Sequence, residues 1–267
     1  MNYTHFTVSY PETGLALVTL TPTGAAKLFQ FSSEKLHELL KLFDDLEAKP
    51  ELKAVVITGT GKVFAAGADI TEMRTITEGN NKVPEGTAFA ATGHAAMDRI
   101  ESSRLFVIAA FNGSAVGGGC ETGLACDWRI AVESAKLGQP EINLGLIPGW
   151  GASRRLERLV GAARARFMIL TGELISAKTA YKWGLVQEVV VDDIALMESA
   201  LNMGRKVLAK SGLILGMCKK ATVGGSILSD NEAQLLEQRL FGECFGTADT
   251  KEGIVAFLEK RTANFCQ

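Results

Sequence analysis

Two glutamates and two clusters of small residues are the positions best placed to do chemistry in this chain. In NGSAVGGGCE, Asn112 to Glu121, three consecutive glycines, Gly117, Gly118 and Gly119, give backbone without Cβ atoms. A ligand can lie against such backbone, and its amide N–H groups stay exposed as donors. Glu121 follows within the first turn of the helix that the next residues imply. Exposed amides beside a carboxylate suit a site that polarises a carbonyl and moves a proton. The same stretch also fits a tight strand-to-helix turn with glycines for packing and a glutamate at the helix start. A second cluster, Ala65-Ala66-Gly67-Ala68, exposes backbone just before Asp69, which could open a helical turn. Glu141 stands twenty residues beyond Glu121, between Pro140 and Ile142 and near Leu144, Leu146 and Ile147. An apolar setting of that kind would raise its pKa and suit it to hand over a proton. Taken alone it also reads as a surface glutamate in a loop.

Other chemistries have little to work with. GTGK at Gly59 to Lys62 invites comparison with a phosphate loop, but no glycine stands five residues before Gly61 and Val63 replaces the required Ser or Thr. Three histidines in unrelated contexts and five cysteines without CxxC spacing argue against a metal centre, a disulfide framework or a His-based triad. Cys120 has no histidine or second thiol near it in sequence, so it reads as a small buried residue and not as a nucleophile. With 28 basic against 30 acidic residues there is no nucleic-acid footprint. No apolar run reaches the length of a membrane span and no targeting segment opens the chain, so the expected compartment is the cytoplasm.

The elements that must position these residues follow from periodicity. His5 to Val8 and Leu15 to Leu20 alternate as a hairpin, with Pro11 to Gly14 as its turn. Ser32 or Ser33 caps a helix from Glu34 to Glu47, and Leu52 to Thr58 is a buried strand. Arg74 to Ala91 is unpatterned and reads as a loop, a lid or wall for a pocket, before a helix from Thr92 to Glu101. Leu105 to Phe111 and Trp128 to Val132 are strands, and Pro148 and Gly149 turn the chain into a helix near Gly151. Strand and helix alternate, which predicts an α/β sheet with right-handed crossovers. Beyond Arg154 the pattern is almost all helical, at Ala162 to Leu170, Ala177 to Trp183, Asp193 to Ala209, Ile214 to Gly224, Glu232 to Phe245 and Thr250 to Lys260, with Val186 to Val191 as a strand.

Four motifs in order, VFAAGADITEM at Val63 to Met73, NGSAVGGGCE at Asn112 to Glu121, GQPEINLGLIPGWGASRRL at Gly138 to Leu156 and the closing EGIVAFLEKRTANF, resemble the crotonase superfamily, above all its enoyl-CoA hydratases. The resemblance runs from about Leu52 to the C-terminus. It implies an α/β fold, a crotonase-like spiral of ββα repeats over residues 1–195, followed by a helical C-terminal trimerisation region over 196–267. It further implies a homohexamer built as a dimer of trimers, acting on an acyl-CoA thioester whose coenzyme A is part of the substrate, with no separate cofactor or metal. By motif position the oxyanion donors fall on the amides of Ala68 and Gly118, the two carboxylates on Glu121 and Glu141, and a site-facing amide on Gly149. Ala66, Asp69 and Ile70 match the segment that lies along coenzyme A. Retaining both carboxylates favours reversible syn addition of water to a trans-2-enoyl-CoA, with Glu121 mainly on water and Glu141 on the α-carbon proton. A cyclic dienoyl-CoA hydratase, an enoyl-CoA isomerase of the same fold and, more remotely, a non-catalytic scaffold are the alternatives. The segment PTGAAKLFQFSS, Pro22 to Ser33, departs from the family pattern because it lacks an Asn-Ala-Leu core. Trp150, after Gly149, either narrows or lines the pocket.

Overall fold

The structure, a computed structural model, describes residues 3–24 and 26–266, so Ala25 of the divergent segment lies outside it. The chain opens as a hairpin, β1 (Phe6–Glu12) against β2 (Leu15–Leu20). β1 runs through Pro11, and a register shift between Ser9 and Glu12 absorbs the proline on the edge of the sheet, where a missing N–H costs nothing. α1 (Ser33–Glu47) follows, with Ser32 as the cap: its hydroxyl accepts from the Lys35 amide.

The chain then repeats one unit three times: a strand in a large sheet, a short strand in a small sheet, and helix. The first turn is β3 (Ala54–Gly59), β4 (Val63–Ala65), α2 (Ile70–Glu78) and α3 (Lys82–Glu101). The second is β5 (Phe106–Phe111), β6 (Ser114–Val116) and α4 (Gly118–Ala125). The third is β7 (Trp128–Val132), β8 (Lys136–Gly138), a 3-10 turn (Glu141–Leu144) and α5 (Ala152–Val160). After them come α6 (Ala162–Thr171), β9 (Ile175–Ser176), α7 (Ala177–Trp183), β10 (Glu188–Val190) and α8 (Asp193–Leu208). The chain closes with α9 (Gly212–Ile227), α10 (Asp230–Cys244) and α11 (Ala248–Leu258).

The large sheet has the order β1-β2-β3-β5-β7-β10, parallel throughout after the opening hairpin. The small sheet has the order β4-β6-β8-β9. This is the expected spiral of ββα turns. Ala54, Val55, Val56 and Ile57 of β3 have no solvent exposure, the signature of a parallel strand covered on both faces. α8 lies over β3, β5 and β7, with Leu196 and Ala200 buried.

Two expectations change. Arg74 to Ala91 is not a loop: α2 extends to Glu78, and α3 begins at Lys82 and runs twenty residues. Pro84 sits in the first turn of α3, where its missing N–H would be unpaired anyway. The buried residues of α3 are confined to Gly93, Ala96, Met97 and Ile100, so its first half stands out from the core and carries no apolar period to read. The small sheet was also invisible, because strands of two or three residues are shorter than any alternation that could announce them.

Candidate active site

The two small-residue clusters lie at corresponding places in the first two turns of the spiral, where the chain leaves the small sheet for a helix. Asn112 stitches those turns together: its side-chain oxygen accepts the Gly59 amide at 2.9 Å and its nitrogen donates to the Gly61 carbonyl at 2.8 Å. The clusters also touch backbone to backbone. A Cβ on Gly113 would fall 2.0 Å from the Lys62 carbonyl oxygen, and one on Gly119 would fall 2.4 Å from that of Ala65. Only glycine permits this approach.

The amides of the first cluster are mostly spent on the segment Phe29 to Phe31. Ala66 donates to the Phe29 carbonyl and Asp69 to the Phe31 carbonyl, each at 2.8 Å, while Phe31 donates to the Gly67 carbonyl at 2.8 Å. Between them the Ala68 N–H has no hydrogen-bond partner among the described residues. In the second cluster Gly117 donates to the Gly138 carbonyl at 3.0 Å, and the Gly118 N–H, the first of α4, is likewise free. Gly67, at φ +91°, sets the two strands of backbone side by side: a Cβ there would lie 3.1 Å from the Val116 carbonyl oxygen and 3.8 Å from the Gly118 nitrogen.

The carboxylates converge on the same place. Glu141 opens the 3-10 turn, and a Cβ on Gly117 would come within 2.8 Å of its Oε1. Its Oε2 is buried without a hydrogen-bond partner among the described residues. Burial first, with the charge of Glu121 adding, pushes the Glu141 carboxyl up to about 7, so it holds a proton far more readily than a glutamate in water. Glu121 is 2 % exposed. Its Oε1 accepts the amides of Trp150 at 2.8 Å and Ala152 at 2.9 Å, at the start of α5. Burial raises its pKa, and these two N–H groups together with the charge of Arg155 oppose that rise. Oε2 of Glu121 makes no hydrogen bond among the described residues and is left to meet a ligand or water.

Gly149 keeps the approach open: its amide is unpaired among the described residues, and nothing lies within 4 Å of where its Cβ would be. Trp150 turns the other way, 3 % exposed, with its ring edge-on to Phe31 at 5.9 Å and to Phe89 at 5.6 Å. Its indole presses on two glycines, since a Cβ on Gly93 or on Gly118 would lie 2.1 Å from it. Trp150 is therefore a buried wall beside the free amide of Gly118. Gly93 and Phe89 were passed over in the sequence, and the one available signal was a glycine inside a helical stretch.

The remaining candidates have plain surroundings. Ala66 has its amide spent on Phe29, Asp69 caps α2 by accepting from Thr71 at 2.8 Å and Glu72 at 3.4 Å, and Ile70 is half-exposed. Cys120 is buried, and burial with the nearby Glu121 and Glu141 charges pushes its thiol up to about 12, far from a thiolate.

A ββα spiral that brings two unpaired backbone amides beside a buried and a partly buried carboxylate defines a protein of the crotonase class. The chain belongs to the enoyl-CoA hydratase/isomerase family, whose sequence model matches residues 12–267. It is 39% identical over 251 residues to a short-chain-enoyl-CoA hydratase of Clostridium acetobutylicum, covering 94% of this chain and 93% of that one. It is 42% identical over 231 residues to a crotonyl-CoA hydratase of Syntrophomonas wolfei, covering 85% and 86%. A crystal structure of an enoyl-CoA hydratase from Bacillus anthracis superposes with a TM-score of 0.88 at 33% identity, over 98% of both chains.

Proposed function

We propose that this enoyl-CoA hydratase adds water reversibly and syn across the double bond of a short trans-2-enoyl-CoA, giving the 3-hydroxyacyl-CoA. The observation that carries the reading is the meeting of the free Ala68 and Gly118 amides with Glu141 beside Gly67 and Gly117, with Glu121 close enough for its charge to act on Glu141. The thioester oxygen accepts from the two amides, which makes the β-carbon electrophilic and holds the enolate charge that develops. Glu121, fixed through Oε1, uses Oε2 to orient a water and take its proton as oxygen bonds to the β-carbon. Glu141 gives its proton to the α-carbon. One proton has entered from water and one has left Glu141, so passage of the proton from Glu121 to Glu141 resets the pair. Ile70 and the backbone near Ala66 and Asp69 offer a surface for coenzyme A, with Asp69 acting through the shape of α2. Trp150, filling the space beside Gly118, and the names of the two relatives both favour a four-carbon acyl group.

The apolar groups left exposed around the last two helices, Phe241 on α10, Phe245 at its C-cap, and Ile254, Phe257 and Leu258 on α11, support a trimer contact over residues 196–267 and assembly to a hexamer. Among the described residues no helix is long and apolar enough to cross a membrane, and a cytoplasmic enzyme fits the reading.

The test follows loss of enoyl-thioester absorbance with crotonyl-CoA and longer enoyl-CoAs. Glu121→Gln and Glu141→Gln should each lower kcat by about 100-fold or more, the scale on which single positioned acid–base groups act. Retention of wild-type kcat by either variant sinks the two-carboxylate mechanism.

A further inference from the structure

Arg155, on the second turn of α5, is 2 % exposed, which for a guanidinium demands partners on every side. Nε donates to Glu101 Oε2 at 3.0 Å, and Nη2 to the same oxygen at 2.7 Å and to Asp98 Oδ1 at 2.5 Å, both acceptors on α3. Nη1 turns back along α5 and donates to the Trp150 carbonyl at 2.9 Å. Trp150 is thus held at both ends, its carbonyl by Arg155 and its N–H by Glu121. The residue between the two anchored amides is Gly151, at φ +110°, and a Cβ there would fall 2.3 Å from Arg155 Nη1. The turn that points the Trp150 and Ala152 amides at Glu121 is therefore shaped around the guanidinium, and no larger residue than glycine lets it pass.

We propose that Arg155 is a positioning residue for the hydration reaction, clamping the Trp150–Ala152 turn so that Glu121 is held in one rotamer with a cation behind it. This rests on the reading of Glu121 as the group that activates water. Two effects join in it. Geometrically, α3 supplies the fixed point: Asp98 and Glu101 hold the fork, and the fork holds the turn. Electrostatically, Glu121 is buried with no basic side chain bonded to it, and Arg155 is the cation whose charge lowers its proton affinity. The other titratable or charged groups that face Glu121 or the clamp are Cys120 on α4, Glu141 on the 3-10 turn, His94, Asp98 and Glu101 on α3, and Arg154 and Arg158 on α5. Arg154 pairs with Asp98 at 2.5 Å and Arg158 lies 3.8 Å from Glu101. Burial, with the charges of Arg154 and Arg155, lowers the pKa of His94, so it adds no positive charge at neutral pH. Removing Arg155 leaves two acids facing two partly exposed arginines, neither of which bonds the Trp150 carbonyl.

The experiment compares wild type, Arg155→Met and Arg155→Lys, each checked for fold by circular dichroism and for assembly by size. With crotonyl-CoA, Arg155→Met should lower kcat by about 10- to 100-fold, the range over which misplaced catalytic groups act, with KM changed by less than about 3-fold. The acidic limb of its kcat–pH profile should move to higher pH, because a lost cation makes the Glu121 carboxylate easier to protonate. Arg155→Lys restores charge without the fork, so its acidic limb should return toward the wild-type position while kcat recovers only in part. A folded Arg155→Met enzyme with unchanged kcat and limb overturns the proposal, as does a loss of kcat that moves no limb and tracks the folded fraction. Infrared titration of the Glu121 carboxylate in the ligand-free protein, assigned with Glu121→Gln, gives a second reading that needs no turnover. If wild type fails to hydrate enoyl-CoAs yet this titration moves upward in Arg155→Met, the function is misread and the clamp stands. If the titration does not move, the clamp fails whatever the enzyme does.

Discussion

Glu121 and Glu141 are the same residue type, and their surroundings divide them. Glu121 is gripped by two amides, whereas Glu141 keeps a buried oxygen without a partner and a pKa lifted to about 7. In the proposed mechanism hydration needs Glu141 protonated and Glu121 ionised, and dehydration needs the reverse. These states share one proton between the pair and differ only in where it sits. The profile of kcat/KM against pH should therefore be bell-shaped and the same in both directions, with activity falling as pH rises through about 7. Initial rates with crotonyl-CoA and with 3-hydroxybutyryl-CoA check this, and limbs that differ between directions refute the shared proton. The same burial has a price in stability. A glutamate whose pKa rises from 4.5 unfolded to about 7 folded contributes stability below 4.5 that is lost as pH climbs through 7. Glu141→Gln, which never ionises, should melt above wild type at pH 8 and level with it near pH 4.5. Both glutamates were legible from their places beside glycines and apolar residues. The grip of Trp150 and Ala152 on Glu121 was not, since those donors stand about thirty positions away and are joined only by the fold.

At the level of elements, the glycines of α3 and α4 carry meaning that sequence leaves half visible. The run Gly117 to Gly119 announces close approach but not to what, and the structure gives three separate answers: Glu141, Trp150 and Ala65. Gly93 announces nothing, yet it makes room for the same indole from the opposite side. Gly93→Ala should therefore destabilise the protein by about 1–3 kcal/mol, the usual cost of overpacking a filled core. It should also depress hydration, because the displaced indole leans on Gly118. Urea unfolding of Gly93→Ala alone and combined with Trp150→Leu tests the contact. If the pair is no more stable than expected from the two changes separately, the indole is not what Gly93 accommodates. α1 was readable because Leu36, Leu39, Leu42, Phe43 and Leu46 form one buried apolar stripe, and α8 because Leu196 and Ala200 face the sheet. The start of α3 was not, because it buries none.

For the molecule as a whole, a buried ion pair fastens α9 to the spiral. Lys219 of α9 reaches Asp127 at 2.7 Å and the carbonyl of Leu105 at 3.0 Å, while the same Asp127 oxygen accepts the Val107 amide at 2.7 Å. Lys219 is 8 % exposed and Asp127 lies at the head of β7, so the pair joins α9 to β5 and β7 of the large sheet. Lys219→Met should cost about 3–5 kcal/mol by stranding Asp127, and Lys219→Met with Asp127→Asn should recover much of it. Denaturant midpoints of the two single variants and the double variant decide the matter, and a double variant as weak as Lys219→Met rules out the stranded charge as the cause. No sequence spacing predicts such a pair, since ninety-two positions separate its members.

The packing of Trp150 also makes the protein its own optical probe. Of three tryptophans, one touches the glycine whose amide is proposed to donate to the thioester oxygen and stands edge-on to the phenylalanine whose carbonyl takes the amide of Asp69, one residue past the second proposed donor. An anion forming between those donors changes the field across the indole before any side chain moves. The intrinsic emission of the unlabelled enzyme should therefore shift when a ligand enters the donor pair and not when one merely occupies the coenzyme handle, a shift that Trp150→Phe should abolish while the signals of Trp128 and Trp183 remain.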